Sequence, residues 1–198
     1  MPCLIRAAEL ADAAAIQSIY APLVLQTAIS FEYEPPAVAE LRQRIEDAQQ
    51  QYPWLVCEHG GGVIGYAYAA RHRTRAAYQW CVETSVYVDA GYRRSGVARG
   101  LYAALLGALR LQGYCNAYAG IALPNPPSVA LHEAYGFKRV GVYRAVGFKL
   151  GTWHDVGWWA YRIREVSSDP APPMDFAGLS ASAALSEALV AGAKLIRL

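Results

Sequence analysis

Apolar and polar positions alternate most regularly in the segment 80–88, in which every second residue is apolar or threonine. A period of two residues is typical of a β-strand with one buried face. After a predicted turn at 89–92, apolar positions recur every three or four residues from 97 to 109, which predicts an amphipathic helix. Gly113 is a suitable left-handed cap for this helix. The stretch 83–99 is therefore a strand, a loop and a helix, around which the rest of the chain can be arranged.

The remaining pattern predicts an α/β (α+β) domain. Segments with helical spacing alternate with shorter apolar segments that have the length of strands. Three glycines at 60–62 lie between two such segments and predict a hairpin, and we expect Pro22 to bend or shorten the first helix. In chain order we predict a strand from Leu4, helices over about 10–25 and 38–48 separated by an extended segment 27–34, hairpin strands 54–58 and 63–70, a strand 118–123, a short helix from Asn125 to Gly136, and reversing strands 140–143 and 152–164 linked by 144–151.

The composition changes at Ser167. The segment 169–173 is rich in proline, which predicts a stiff linker. Residues 181–195 then have the spacing of a helix. We therefore divide the chain into a domain of residues 1–166 and a C-terminal helical tail of residues 167–198, to which the sequence assigns no role.

Composition narrows the classes of function. The formal net charge is only +2 and is scattered along the chain, which does not indicate a nucleic-acid surface. No apolar run approaches the roughly 20 residues that span a bilayer, and the N-terminal residues do not begin a secretory signal, so we expect a cytoplasmic chain with no membrane partner. The four cysteines lie far apart, which predicts free thiols and no metal. Charged residues make up only 17% of the chain, and an interface with a second subunit would explain this low share.

The loop between the central strand and its helix has the composition of an anion site. The first N–H groups of a helix have no partner within it and lie at the positive end of the helix dipole. Small residues let phosphate oxygens approach the backbone, and arginines add full positive charges. A diphosphate would bind there, although a basic surface turn before a helix shows the same short pattern. The residues concerned are Arg93, Arg94, Ser95, Gly96, Val97, Ala98 and Arg99.

A second motif follows one strand later and favours the anion site. Asn125 is a good helix cap, proline comes directly after it, and Gly136 ends the short helix. The loop Arg-x-x-Gly-x-Ala and the segment Asn-x-x-Ser-x-x-Leu-His-Glu-x-x-Gly-Phe together resemble the two acetyl-CoA motifs of the GNAT superfamily of N-acetyltransferases, in the form of its phosphinothricin and methionine sulfoximine N-acetyltransferase branch. Further segments similar to that branch are Tyr-Pro-Trp-Leu-Val at 52–56, Val-Glu-x-x-Val-Tyr-Val at 82–88 and Trp-His-Asp-Val-Gly at 153–157.

The resemblance covers about residues 4–163 and implies a fold and a cofactor. The expected fold is a mixed, mostly antiparallel sheet flanked by helices, which splays between the strand ending at Val88 and the strand ending at Leu123. Acetyl-CoA is expected in the gap, without a metal, and the chain is expected to form a homodimer. The residues expected to hold the pantetheine arm are Val86, Tyr87 and Val88, through their backbone, together with Asn125 and Ser128.

Two residues are predicted to carry the acyl transfer. Glu83 is the predicted general base, because a carboxylate among largely apolar neighbours holds a proton more readily; alternatively, Glu83 only pairs with Arg73 or Arg75. His132 stands where other branches of the superfamily have a tyrosine, and is predicted to protonate the departing thiolate. The two roles could be exchanged, or His132 could be a helix-face histidine bonded to a backbone carbonyl.

A basic loop before the central strand is the predicted acceptor site. Guanidinium groups present forked donors that match a carboxylate or a phosphinate, although charged loops are often only solvated surface. The resemblance implies a small amino-acid acceptor such as phosphinothricin or methionine sulfoximine. The alternatives are another amine, such as a polyamine, a protein N-terminus or an aminoglycoside, and a non-catalytic module that binds acyl-CoA. The predicted acceptor residues are Arg73, Arg75 and Tyr78, with Phe31 and His154 as further candidates.

Overall fold

The computed structural model describes residues 2–198. Seven strands form one sheet, and helices cover both of its faces. The elements in chain order are β1 (Leu4–Ala7), α1 (Ala13–Gln26), α2 (Val38–Gln51), β2 (Trp54–His59), β3 (Gly62–Arg71), β4 (Cys81–Val88), α3 (Val97–Gln112), β5 (Asn116–Leu123), α4 (Pro126–Tyr135), β6 (Lys138–Lys149), β7 (Thr152–Arg162), α5 (Phe176–Leu179) and α6 (Ala183–Ala193).

The sheet opens between its two central strands. Its order is β1-β2-β3-β4-β5-β7-β6, and every neighbouring pair is antiparallel except β4 and β5. The last paired residues of this parallel pair are Glu83 and Tyr118, although β4 continues to Val88 and β5 to Leu123. The mixed, mostly antiparallel sheet that splays between these two strands is therefore confirmed.

Alternate residues of the hairpin strands pack into two separate hydrophobic cores, one on each face of the sheet. On β2, Leu55 and Cys57 pack with α3, whereas Trp54 and Val56 pack with α1 and α2. This alternation follows from the period of two along a strand. Helix α3 contributes its apolar positions at three- and four-residue steps to the first core, as the sequence pattern predicts, and it ends at Gly113 in the left-handed conformation with φ +99°.

Helix α1 ends at Gln26, within one residue of the predicted end, and Pro22 does not shorten it, because Leu23 and Val24 after it are buried and proline removes only one donor. The prediction of a link over 144–151 is wrong. The predicted link 144–151 is mostly strand, since β6 runs to Lys149 and only a tight turn separates it from β7. A bulge makes this strand hard to recognise in the sequence: Tyr143 pairs with Val156 and Gly147 with His154, so residues 144–146 lie opposite the single residue Asp155 and interrupt the apolar alternation.

The C-terminal tail packs on the sheet domain. Phe176, Leu179 and Leu185 are buried in the same core as α3. The proline-rich segment before them is tethered where Trp80 Nε1 donates to the carbonyl of Ala171 at 2.9 Å. The division of the chain at residue 166 stays a prediction, but α5 and α6 share a hydrophobic core with the preceding elements. Within residues 2–198, no helix combines the length and the apolar character that crossing a bilayer requires.

Candidate active site

The loop before α3 presents a set of free backbone amides. Arg94 and Gly96 have positive φ angles of 61° and 85°, which turn the chain sharply into the helix. The first bond of α3 runs from Gly100 N–H to the carbonyl of Gly96 at 2.8 Å. Within the described residues 2–198, none of the six N–H groups of residues 94–99 donates a hydrogen bond to the protein. Free amides at a helix N-terminus are what a bound anion requires.

A cleft of about 760 Å³ lies in front of these amides, in the split of the sheet. Its second wall is α4, where Asn125 Oδ1 accepts from Ser128 N–H at 3.3 Å and Gly136 ends the helix with φ +107°. Ser95 is the one predicted cofactor residue that does not line the cleft, because its Oγ turns to the carbonyl of Tyr92 at 2.5 Å. The predicted residues that do line it are Val86, Tyr87, Val88, Arg93, Arg94, Gly96, Val97, Ala98, Arg99, Asn125 and Ser128.

Both walls of this cleft favour a long ligand with an anionic end. Three arginines stand at the loop and add their charges to the positive end of the α3 dipole. Beyond Glu83 and Tyr118, no described residue of β4 pairs with β5. The backbone groups of β4 on this side are therefore free to bond with an amide-containing ligand, as an exposed strand edge does.

Glu83 lies at the vertex of the split, as the last residue of β4 that pairs with β5. Its Oε1 is 3.0 Å from His72 Nδ1 and 3.7 Å from a guanidinium nitrogen of Arg73, and about a third (34%) of its side chain is exposed. The predicted apolar surrounding is wrong, because the basic loop folds over the carboxylate. His72 is itself held by stacking on Tyr118, with ring centroids 4.4 Å apart.

His132 is buried behind the cleft wall, with 4% of its surface exposed. Its Nδ1 is 2.7 Å from the carbonyl of Ser128, and its Nε2 is 2.7 Å from the hydroxyl of Tyr102. A carbonyl only accepts, so this arrangement puts the proton of the neutral ring on Nδ1. Burial lowers the pKa of His132, while the bond to the Ser128 carbonyl acts in the opposite direction. Ser128 Oγ, in a residue that lines the cleft, lies 3.4 Å from His132 Nδ1.

A second cavity of about 540 Å³ opens on the sheet face that carries Tyr87, which has the same parity on β4 as Glu83. Its walls are mainly apolar and aromatic. Ile29 and Tyr87 line both this cavity and the cleft, so the two spaces meet at these residues. The residues that line the second cavity are Ile29, Ser30, Phe31, Glu32, Tyr87, Gly120, Ala122, Tyr143, Val146, Val156 and Trp158.

The predicted acceptor residues are only partly brought together. Phe31 lines the second cavity, and the Arg73 guanidinium lies 6.0 Å from the ring of Trp158 in its wall. Tyr78 packs edge-on against His72, at a centroid distance of 5.9 Å. Arg75 and His154 do not line the cavity, and His154 Nε2 is instead 3.0 Å from the carbonyl of Lys149.

Several side chains around the second cavity were not predicted. Lys149 is almost fully buried, and its ammonium donates to the carbonyls of Val24 and Ser30, both at 2.6 Å. These bonds fix the irregular segment 27–34, predicted to be extended, which carries Phe31 into the cavity wall. Glu32 is neutralised by Arg44 at 2.8 Å. No local signal marks these residues, because their partners lie far away in the sequence.

Metal-ligating side chains do not cluster in the part of the chain that the structure describes. No group of three or more His, Cys, Asp or Glu side chains there is close enough to hold an ion. The cleft is instead lined by backbone amides, apolar side chains and arginines, and the second cavity mainly by apolar and aromatic side chains.

The sequence and the fold were compared with those of known proteins, and both match one family. Residues 5–158 match the acetyltransferase (GNAT) domain, a match that ends before α5. A phosphinothricin N-acetyltransferase of Streptomyces viridochromogenes is 43% identical over 171 residues, which cover 86% of this chain and 93% of that protein. An L-methionine sulfoximine/L-methionine sulfone acetyltransferase of Salmonella typhimurium is 34% identical over 163 residues, 81% and 95% of the two chains. A solved phosphinothricin acetyltransferase of Sinorhizobium meliloti, in complex with AcCoA, aligns with a TM-score of 0.81 at 33% identity, over 91% of this chain and 98% of that one.

Proposed function

Since the chain belongs to the acetyltransferase (GNAT) family, we propose that it moves an acetyl group from acetyl-CoA to the amino group of a small amino acid, of the class of phosphinothricin or methionine sulfoximine. The observation that carries this proposal is the row of free loop amides that faces a cleft in the split sheet. Acetyl-CoA supplies the activated acyl group, and the residues of this chain bind it, orient it and move protons.

The cleft would hold the cofactor from two sides. The amides of Gly96, Val97 and Ala98 bind the diphosphate, with the neighbouring arginines adding charge. The free edge of β4 at residues 86–88 pairs with the pantetheine amides. A main-chain N–H of the same edge stabilises the oxyanion that develops on the acyl carbonyl. Asn125 and Ser128 bound the opposite side of the arm.

Glu83 is the proposed general base. The acceptor amine enters from the second cavity and meets the thioester near Tyr87, on the strand face that also carries Glu83. The carboxylate takes a proton from the amine, directly or through a water, while His72 fixes its orientation. The C–N bond then forms, the C–S bond breaks, and the thiolate leaves with a proton from the enzyme or solvent.

The proton-donor role of His132 stays a prediction. It requires the protonated ring, and its path to the cleft runs through Ser128 Oγ at 3.4 Å. The exchanged assignment, with His132 as the base, has less support because the lone pair on Nε2 accepts from the Tyr102 hydroxyl at 2.7 Å and does not face the cleft. If Ser128 relays the proton, Ser128→Ala and His132→Asn should lower kcat by similar factors, and the double variant should be no slower than either.

The second cavity favours an amino acid over a strongly cationic acceptor. Its walls are mainly apolar, and Glu32, the carboxylate among the described residues that line it, is already paired with Arg44. Arg73 lies beside Trp158 and has one guanidinium nitrogen 3.7 Å from Glu83; its remaining donors are proposed to bind the acceptor carboxylate or its second anionic group. Polyamines and aminoglycosides would need unpaired acidic groups, so we rank them lower.

A second copy of the chain is the proposed partner. β6 is an edge strand of the sheet, and the hairpin that it forms with β7 exposes a group of apolar side chains, two of which, Tyr143 and Val146, also line the acceptor cavity. The mass of the Trp153→Glu variant in solution should fall from dimer to monomer, whereas Val190→Glu, on α6, should leave it unchanged. This exposed group comprises Val140, Tyr143, Val146, Phe148, Leu150 and Trp153.

The proposal is tested by the release of free thiol from acetyl-CoA in the presence of single amines. Methionine sulfoximine or phosphinothricin should support turnover, and a panel of polyamines, aminoglycosides and peptides should not. Tight binding of CoA without turnover on any amine would instead indicate a non-catalytic module. Activity that survives Glu83→Gln and His132→Ala together would overturn the assignment of catalytic roles.

A further inference from the structure

The C-terminal tail, which lies beyond the family match, packs against the helix that opens at the diphosphate loop. Its backbone joins the end of α3 where Met174 N–H donates to the carbonyl of Gln112 at 2.8 Å, and the buried Gln112 amide donates back to the carbonyl of Met174 at 2.8 Å. Leu185 of α6 is buried on α3. The tail therefore crosses α3 from its C-terminal end back towards its first turn.

Two glycines bring the backbones of α6 and α3 into direct contact at that first turn. A β-carbon on Gly192 would lie 2.5 Å from the carbonyl oxygen of Gly100, and one on Gly100 would lie 2.7 Å from that of Gly192. Contacts this short are possible only because neither residue has a side chain. The end of α6 is thereby fixed beside the residues that precede α3.

The residues that follow α6 bond to the loop itself. Arg197 N–H donates to the carbonyl of Ser95 at 2.8 Å, and the carbonyl of Leu195 lies where a β-carbon on Gly96 would be only 2.6 Å away. The carbonyl of Ser95 and the N–H of Gly96 belong to one planar, trans peptide unit, so they point in opposite directions. With its carbonyl bonded to the tail, this peptide directs the N–H of Gly96 away from the tail, towards the side that lines the cleft.

We propose that residues 192–197, here called the C-terminal brace, are a positioning element of the acetyl-CoA site. The brace holds the Ser95–Gly96 peptide in the orientation that donates to a diphosphate, so the loop does not have to be ordered when the cofactor binds. This inference rests on the proposed binding of CoA at the loop amides. Because coupling between two sites is reciprocal, bound CoA should also tighten the contact of the brace with the loop.

The main test removes a single backbone donor. Arg197→Pro deletes the N–H that bonds to Ser95, whereas Arg197→Ala keeps it and removes only the exposed side chain. Calorimetric titration with CoA should give a Kd raised about fivefold in Arg197→Pro, the factor that one lost hydrogen bond produces, and a Kd within about twofold of the original in Arg197→Ala. An unchanged Kd in a folded Arg197→Pro variant would overturn the proposal. An equal rise in both variants would also overturn it, because the side-chain charge would then be responsible.

A second pair of variants displaces the whole brace. Gly192→Ala introduces the clash with Gly100, and Gly178→Ala is its control, because a β-carbon at Gly178 has no atom within 4 Å. We expect Gly192→Ala to raise the KM for acetyl-CoA while kcat changes little, and Gly178→Ala to change neither. A lower melting temperature of Gly192→Ala with an unaltered Kd for CoA would mean that the brace only stabilises the fold, and would overturn the proposal.

Hydrogen exchange gives a readout that is independent of activity. CoA should slow the exchange of the Arg197 amide in the unmodified protein, since bound cofactor and brace stabilise one loop conformation. Exchange that is unchanged although CoA binds would contradict the coupling. If CoA does not bind the unmodified protein at all, the proposed function fails first, and this result is distinct from a failure of the brace.

Discussion

The proposed cofactor cleft and the proposed acceptor cavity meet at Ile29 and Tyr87, yet they are built in different ways. Apart from Leu23 and Ile29, the residues that line the cleft come from three short segments, 86–88, 92–99 and 125–131, and its main binding groups are backbone amides. The cavity is lined by side chains from β4, β5, β6, β7 and the segment 27–34. A site made from backbone in one local motif depends on chain conformation, whereas a site made from scattered side chains depends on tertiary packing. Substitutions should therefore separate the two sites cleanly.

Glu83→Gln should have the largest effect, because this residue lies where both regions converge. The amide cannot accept the amine proton, so we expect kcat to fall about 100-fold, with the KM values for acetyl-CoA and for the acceptor nearly unchanged. Steady-state thiol release measures this. The control is Glu46→Gln on the exposed face of α2, which should behave like the unmodified protein. A change in KM with an intact kcat would mean that Glu83 binds substrate and does not move the proton.

Gly96→Ala should weaken the cofactor site alone. The β-carbon would be strained at φ +85° and would lie 2.6 Å from the carbonyl of Leu195, so we expect the Kd for CoA to rise about tenfold. Gly61→Ala tests the backbone strain without the steric clash, because Gly61 has φ +82° and a β-carbon there would have no atom within 4 Å. That control should lose some thermal stability and keep its affinity for CoA. A raised KM for the acceptor in Gly96→Ala would contradict the separation of the sites.

Phe31→Ala should weaken the acceptor site alone. The ring forms part of the cavity wall, and loss of one aromatic contact should raise the acceptor KM about fivefold, with no change in the KM for acetyl-CoA. Tyr33→Phe is the control in the same segment, because it keeps the ring and removes only the bond to the carbonyl of Phe148. Equal changes in both KM values would show that the segment 27–34 shapes both sites together.

The smallest predicted effect concerns pH and His132. Burial lowers its pKa in the folded chain below the 6.5 of an ordinary histidine. The unfolded chain therefore binds a proton first as the pH falls through 6.5, and the free energy of unfolding should decrease in that direction. Urea unfolding of His132→Gln between pH 7.5 and about 5.5 should show a weaker decrease than the unmodified protein. A slope that His132→Gln leaves unaltered would contradict burial of this ring as a neutral group.

Much of the cleft was predictable because its determinants are local. Asn125, proline and Gly136 specify a short capped helix, and the loop 93–99 specifies an open helix N-terminus, so two motifs locate two walls. The family and the splayed sheet that these motifs predicted are confirmed. Ser95 is the exception, since its hydroxyl bonds back to Tyr92.

The rest depends on contacts that no local pattern records. The residue of the basic loop that lies within bonding distance of Glu83 is His72, and not an arginine. Stacking on Tyr118 fixes the position of His72. Lys149 lies in a segment predicted as a link, because a bulge in β6 interrupts the alternation by which a strand is recognised. The C-terminal brace could not be predicted from the sequence either, because the Gly100–Gly192 contact joins residues that are close only after folding.

The central claim is that the loop amides bind the diphosphate, and amide NMR tests it residue by residue. In a titration with CoA, the N–H resonances of Gly96, Val97 and Ala98 should move strongly downfield, as expected for amides that acquire charged acceptors. Pantetheine, which has the same arm but no phosphate, should shift the amide resonances of residues 86–88 and leave those of the loop unchanged. Equal loop shifts with both ligands, or none with CoA while 86–88 respond, would contradict the account.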